Sequence, residues 1–298
     1  MGRIAAVKRM AVHDGPGLRT TLFLKGCPLR CRWCHNPESI PHAPQVAYIQ
    51  KKCLNCGECA DLCEANVFAD GLHTFDRSQC IGCGKCEPVC LGNAFTFYGQ
   101  EITPEEAAKI LLEDRAFYAQ SGGGITLSGG EPLMQPEFSA AILRLMKQEG
   151  IHTAVDTCGF APRAAVDAVL PYTDIFLFDM KAATEETHIA CTAQSNKPIL
   201  ENLRYIVSQG KPVEIRVPFV PGMNDHETEQ MAQILADIGG ISLVRVLPYH
   251  PFAASKYESL GLEYTMPDAT RPTRDMMSQA VNIFKQHGLN AVDGGNLP

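Results

Sequence analysis

Eleven of the thirteen cysteines fall in three tight runs before residue 91, and their spacing constrains this chain more than any other feature. The first run is Cys27-Pro-Leu-Arg-Cys31-Arg-Trp-Cys34. The other two share one spacing: Cys53-x-x-Cys56-x-x-Cys59-x-x-x-Cys63 and, 27 residues on, Cys80-x-x-Cys83-x-x-Cys86-x-x-x-Cys90. In a small secreted chain such a count reads as a disulfide framework. This chain has 298 residues, and its start, Met1-Gly-Arg-Ile-Ala-Ala, lacks the apolar core of a secretory signal. A cytoplasmic location is therefore expected, where thiols stay reduced and clustered cysteines serve as metal ligands. Cys158 and Cys191 stand apart and read as free thiols.

The cysteine pattern divides the chain into three zones. Residues 1–49 hold a β-like run, Thr20–Lys25, followed by the first cysteine loop. Residues 50–98 carry the repeat and little helical periodicity. Residues 99–298 alternate strand-like segments (Ile125–Ser128, His152–Thr157, Asp174–Lys181, Val213–Val220, Ser242–Tyr249) with helical ones near 136–149, 162–170, 197–209, 226–238 and 273–287. Thr103-Pro-Glu-Glu opens a further helix, with Thr as N-cap and acids at the positive end. Such alternation implies parallel strands with right-handed crossovers. Six strands, counting Thr20–Lys25, are too few for a closed eight-stranded barrel. The expectation is an α/β fold: a partial (β/α)6 TIM-type barrel with an inserted α+β ferredoxin-like two-cluster domain. Ligands are then expected at the carboxyl ends of the strands.

Thiolates are the soft ligands that iron–sulfur clusters require. Cys27, Cys31 and Cys34 supply three, so one iron stays open, as in catalytic metal sites generally. An amine and a carboxylate, such as the methionine end of S-adenosylmethionine, could chelate it. A zinc site completed by His35 is the alternative, and the neighbouring ferredoxin-type runs weigh against it. The repeat matches the two-cluster bacterial ferredoxin arrangement, in which the fourth cysteine of each run serves the other cluster. One set is then Cys53, Cys56, Cys59 and Cys90, and the other is Cys80, Cys83, Cys86 and Cys63. Glu64 and Leu91 stand where that pattern has proline. Three 4Fe-4S clusters are expected in all.

The sequence resembles the radical S-adenosylmethionine superfamily, and within it the activating enzymes of glycyl radical enzymes. The resemblance rests on seven stretches in order: His13-Asp-Gly-Pro-Gly-Leu-Arg19, Gly26-Cys-Pro-Leu-Arg-Cys-Arg-Trp-Cys-His-Asn-Pro37, Thr126-Leu-Ser-Gly-Gly-Glu-Pro132, Asp156-Thr-Cys-Gly159, Asp179-Met-Lys181, Val220-Pro-Gly222 and Leu247-Pro-Tyr-His250. It implies a cofactor site built from Trp33, Cys34, His35, Gly129, Gly130, Glu131, Asp179, Met180, Lys181 and His250. Glu131 would accept from the methionyl ammonium, Lys181 would meet a carboxylate or the ribose, and Trp33 would pack the adenine or simply fill the core. Asp156, Thr157, Asp179 and the main chain of Leu177 would hold a cation, either monovalent or divalent. Either aspartate alone could equally be a helix N-cap. Asp14, grouped with the catalytic cysteines, and Arg19 would face the protein substrate, or shape the Asp-Gly-Pro-Gly turn. That substrate is a glycyl radical enzyme, which loses hydrogen from a backbone glycine. The insert clusters would relay electrons from ferredoxin or flavodoxin, or face the partner.

A net charge of −7 speaks against a nucleic-acid partner, and no apolar run reaches the 18 residues of a membrane span. An electron carrier would need no Gly-Gly-Glu or Asp-x-Lys at its strand ends. Radical chemistry on a small molecule or peptide is the closer rival. Peptide-modifying relatives carry extra cysteine clusters in their C-terminal half, and residues 192–298 have none.

Overall fold

In chain order the computed structural model, which describes residues 1–266 and 268–295, contains thirteen strands. They are β1 (Gly2–Ala11), β2 (Arg19–Leu24), β3 (Gln45–Tyr48), β4 (Asn66–Ala69), β5 (Leu72–Phe75), β6 (Phe95–Tyr98), β7 (Gln100–Ile102), β8 (Gly124–Gly129), β9 (His152–Thr157), β10 (Ile175–Asp179), β11 (Val213–Phe219), β12 (Leu243–Pro248) and β13 (Ala291–Asp293). The α-helices are α1 (Pro104–Leu112), α2 (Arg115–Ser121), α3 (Pro136–Gln148), α4 (Arg163–Val169), α5 (Glu185–Thr192), α6 (Lys197–Ser208), α7 (Thr228–Ile238), α8 (Ala254–Leu260) and α9 (Arg274–Gln286).

Nine strands form one sheet in the order β13-β12-β11-β10-β9-β8-β2-β1-β7. The six expected strands are there, parallel and adjacent, and β13 extends the set. The sheet departs from expectation at its other edge, where β1 runs antiparallel to both β2 and β7. Only parts of β1 are buried, so its residues carry no long apolar run to announce a strand.

Helices form where caps and apolar stripes coincide. Thr103 and Glu106 exchange side-chain bonds with each other's backbone N–H at the start of α1, a capping box that contributes about 1 kcal/mol. Along α3, Phe138, Ile142, Leu143 and Met146 turn inward at helical spacing. They meet Leu22, Ile125, Leu127, Val155, Phe176 and Ile215 from the sheet in one continuous core. Each such side chain, fully buried, stabilises the fold by roughly 1.5–3 kcal/mol. Among the described residues no helix is long and apolar enough to cross a membrane.

Residues 45–98 are built differently. β3 pairs with β6 and β4 with β5, both antiparallel, around Val46, Cys59, Cys86 and Phe95. The rest is loop and single 3-10 turns. An α+β unit was expected, yet no α-helix occurs among these residues. The polypeptide instead bends tightly around its cysteines, leaving no stretch long enough for helical hydrogen bonding.

Candidate functional site

The carboxyl ends of the parallel strands surround a cavity of about 810 Å³. Cys27, Cys31 and Cys34 line it from the loop after β2. Main-chain bonds hold that loop on both sides. Gly26 N donates to Ser39 O at 2.8 Å, Cys27 N to Ile40 O at 2.9 Å, Arg30 N to Thr192 O at 2.8 Å and Arg32 N to Cys191 O at 3.0 Å. Burial pushes the Cys31 thiol up to about 12 and the Cys34 thiol to about 11. Cys27 moves the other way, held below the usual thiol range first by a hydrogen bond from the Cys158 thiol.

Among the described residues no three His, Cys, Asp or Glu side chains stand close enough to grip a single metal ion. His35, which would complete the alternative zinc site, donates Nε2 to the His250 carbonyl at 2.8 Å. Its ring stacks on that of His250 with centroids 4.0 Å apart. A lone zinc needs its ligands gathered, whereas a cluster offers each sulfur its own iron.

Beside the cysteines the end of β8 runs against the loop. Gly129 has φ +116°, and a Cβ there would overlap the Leu24 nitrogen. A Cβ on Gly130 would lie 2.6 Å from Ser39 O and closer still to Gly26 O. Both positions require glycine for close backbone approach. Glu131, expected to face an ammonium group, instead turns inward and is fully buried. Its Oε1 accepts from Leu133 N at 3.0 Å and Thr157 Oγ1 at 2.7 Å, and its Oε2 from Cys158 N at 2.7 Å. Leu177 is fully buried in β10, and Met180 packs into the main core rather than lining the cavity. Thr157 lines the cavity, but its hydroxyl is committed to Glu131.

Of the expected cation ligands, Asp156 and Asp179 do bring carboxylates to the cavity. Asp156 accepts from Ser128 Oγ at 2.7 Å and lies 3.4 Å from Arg216 Nη1. Burial pushes its carboxyl up to about 6, against the pull of the Arg216 cation. Asp179 pairs with Lys181 at 2.7 Å. Arg216, on β11, also donates to the His13 carbonyl, so it joins the turn before β2 to the strand ends. The sequence reading missed it. The signal was present as Glu214 and Arg216, two charges inside an apolar parallel strand where such residues are out of place.

Asp14 lines the far side of the cavity, accepting from Thr21 Oγ1 at 2.8 Å. Arg19 does not reach the cavity. It is fully buried, donating to Thr126 Oγ1 at 2.6 Å, to Pro16 O at 3.1 Å and to Ile125 O. It clamps the Gly15–Gly17 turn onto β8, and burial lowers its guanidinium to about 10. Trp33 packs with Cys191, Val220, Tyr249 and Met266 while one part borders the cavity. His250 also lines it, and its Nδ1 is buried with no hydrogen-bond partner.

The repeat cysteines lie apart from this cavity. Cys59 and Cys86 are buried, Cys56 and Cys83 exposed. Burial first, then the nearby sulfurs of Cys90, Cys53 and Cys56, raise the Cys59 thiol. For Cys86, pushed up to about 12 by burial, the neighbouring sulfurs are Cys80, Cys83 and Cys59.

The sequence pattern of the Radical SAM superfamily matches residues 21–235. The chain is 37% identical over 97% of its length to the trans-4-hydroxy-L-proline dehydratase activating enzyme of Clostridioides difficile, covering 98% of that protein. It is 40% identical over 87% of its length to the choline trimethylamine-lyase activating enzyme of Oleidesulfovibrio alaskensis, covering 86% of it. A solved domain of a pyruvate-formate lyase-activating enzyme from Bacteroides vulgatus superposes with a TM-score of 0.50 at 32% identity, over 58% of this chain and all of that one. With three cysteines following the first parallel strand and relatives of this kind along almost its whole length, the chain belongs to the radical SAM superfamily, among the activating enzymes of glycyl radical enzymes.

Proposed function

We propose that Cys27, Cys31 and Cys34 are the protein ligands of a 4Fe-4S cluster and that the cavity they face takes S-adenosylmethionine. Membership of the superfamily implies both groups. Bound together, they supply an electron and a sulfonium whose carbon–sulfur bond breaks to give methionine and a 5′-deoxyadenosyl radical, which takes hydrogen from a glycine of the partner enzyme. The observation that carries the assignment is the donor set. Three sulfurs from one pinned loop open on the cavity, and the nearest imidazole, His35, is committed to a backbone carbonyl.

The chain's own groups fit that cargo. Gly129 and Gly130 let a ligand lie against bare backbone. Lys181 can turn from Asp179 to a carboxylate. His250 Nδ1 has no protein partner and supplies a polar contact for the adenosyl group. Asp156 and Asp179 sit close enough for the second to disfavour ionisation of the first, the arrangement a monovalent cation relieves. Asp14 and Arg216, across the cavity, face the space left for the partner's glycine segment.

The repeat is assigned to two further clusters with crossed ligand sets, supported by the proximity of Cys59 to Cys53, Cys56 and Cys90. These clusters receive electrons from flavodoxin or ferredoxin. Anaerobic reconstitution should load iron for three clusters. Cys34→Ala should lose one of them and all dithionite-driven cleavage of S-adenosylmethionine. Cys56→Ala with Cys83→Ala should keep the dithionite reaction and lose the one driven by flavodoxin. Zinc in place of iron, or full cleavage by Cys34→Ala, would overturn the assignment.

A further inference from the structure

Strand β10 ends at Asp179, and the chain passes Lys181 at the cavity wall before it enters α5. Met180 N still donates to Arg216 O of β11 at 2.8 Å, and among the described residues no main-chain bond to β11 follows at Lys181. Buried polar side chains hold the segment instead. Asn224 Nδ2 donates to Lys181 O at 2.8 Å. Asn196 Nδ2 donates to Ala183 O at 2.8 Å, and Glu227 Oε2 accepts from Ala183 N at 2.7 Å and Thr184 N at 3.1 Å. The last two residues fix the entry to α5, whereas Asn224 alone reaches Lys181. It is fully buried, with its second Nδ2 proton on Pro218 O at 2.6 Å and its Oδ1 accepting from Val220 N at 2.9 Å. One side-chain amide thus ties the end of β11 to the residue that follows β10. The Val220-Pro-Gly222 stretch acquires a purpose here. Gly222, at φ +76°, reverses the chain, and Asn224 N returns to Val220 O at 3.3 Å.

We propose that Asn224 is a positioning residue for the amino-acid end of the cofactor: by holding the Lys181 carbonyl it fixes the base of the lysine whose ammonium meets the methionyl carboxylate. Asn224 does not line the cavity, so it acts only through Lys181. The lysine stem is flexible, and its ammonium, 2.7 Å from Asp179, is placed by where the stem starts. This inference rests on the reading of the cavity as the S-adenosylmethionine site with Lys181 at its carboxylate, and the test separates the two.

The experiment is a double-mutant cycle on the anaerobic, iron-loaded full-length enzyme, read as the dissociation constant of S-adenosylmethionine by calorimetry. Lys181→Met and Asn224→Ala should each weaken binding about tenfold, the worth of one charge-assisted hydrogen bond. In the Lys181→Met background, Asn224→Ala should cost less than about twofold, because no ammonium is left to place. A general loosening of the fold would instead multiply the two losses to about a hundredfold. Multiplied losses, or an unchanged constant in Asn224→Ala, overturn the inference and leave the reading of the cavity intact. Should Asn224→Ala fail to load iron, Asn224→Ser, which keeps one donor, takes its place in the same cycle. Failure of both to load iron makes Asn224 a folding residue and also overturns the inference. Lys181→Met that binds as tightly as wild type refutes the role given to Lys181, and wild-type enzyme that binds no S-adenosylmethionine refutes the reading of the cavity itself; either result takes this inference with it.

Discussion

Replacing Gly130 by alanine tests the contact between the end of β8 and the cysteine loop, on which the site's geometry depends. The added carbon would lie 2.6 Å from Ser39 O and nearer to Gly26 O, so backbone must move by close to 1 Å to restore contact distance. Three hydrogen bonds cross that seam: Gly130 N to Leu24 O, Glu131 N to Gly26 O and Gly26 N to Ser39 O, each 2.8 Å. Losing two of them costs about 1 kcal/mol each. Overpacking adds roughly 1–3 kcal/mol. The total, about 3–5 kcal/mol, is a large share of the 5–15 kcal/mol typical of folded domains. Gly150→Ala is the control, because its site is open space and only left-handed strain of about 1–2 kcal/mol applies. Urea unfolding followed by circular dichroism, with iron counted anaerobically, should show Gly130→Ala clearly below Gly150→Ala in stability and short of one cluster. Equal midpoints and full iron in both would show that the strand end and the loop do not touch as described.

Arg19→Met should leave the Gly15–Gly17 turn without its clamp and cost about 3 kcal/mol by urea unfolding, since several buried acceptors lose their donor together. Arg216→Met should cost a similar amount, about 3 kcal/mol, because it leaves the partly buried Asp156 carboxylate with Ser128 Oγ alone. The Asp156 carboxyl, raised to about 6 by burial, sits above its unfolded value, so its contribution to stability is greatest below pH ~4 and is lost as pH rises through 6. Potassium ions should therefore raise the thermal midpoint progressively between pH 5 and 7, with no further gain above pH 7. A pH-independent effect would place the ion elsewhere.

The parallel strands were legible because each is a short, mostly apolar run, and runs of that kind survive wherever both faces of a sheet are covered. The cysteine loop was legible from spacing alone. What escaped the sequence reading has a common cause, which is that it depends on contacts between distant residues. Glu131 looked like a ligand because it follows two glycines at a strand end, but Thr157 and Cys158 arrive from the next strand and claim its carboxylate. Arg19 was expected to face the protein substrate or to shape its turn; it does the second, and only the fold reveals the Thr126 hydroxyl and the carbonyls of Pro16 and Ile125 that make its burial tolerable. β1 escaped because β7 covers it only over Gly2–Ile4, and a strand whose remaining half is largely exposed needs no apolar alternation along its length.

The helix α8 joins parts of the molecule that the sequence separates by about two hundred residues. Lys256 donates to Asn36 Oδ1 at 3.0 Å and Glu38 Oε1 at 2.6 Å, just beyond the cysteine loop. Arg77, in the cysteine-repeat segment, donates to Ser259 O at the end of the same helix and to Val46 O at 3.0 Å. Lys25, fully buried after β2, donates to the Glu38 carbonyl and to Gln45 Oε1 at 3.2 Å. Glu38 is thus held by Lys25 and by the helix, Lys25 carrying the link on to Gln45, and its Oε2 is already without a partner. Lys256→Met would leave a nearly buried carboxylate with neither oxygen paired, at a cost of about 1–3 kcal/mol after allowing for the half-exposed lysine. Because these bonds form one network, hydrogen exchange should accelerate together over Pro37–Ser39 and Ala254–Leu260, with β9 and β10 unchanged. Faster exchange in only one of the two segments would mean that α8 rests against the cofactor side without coupling to it.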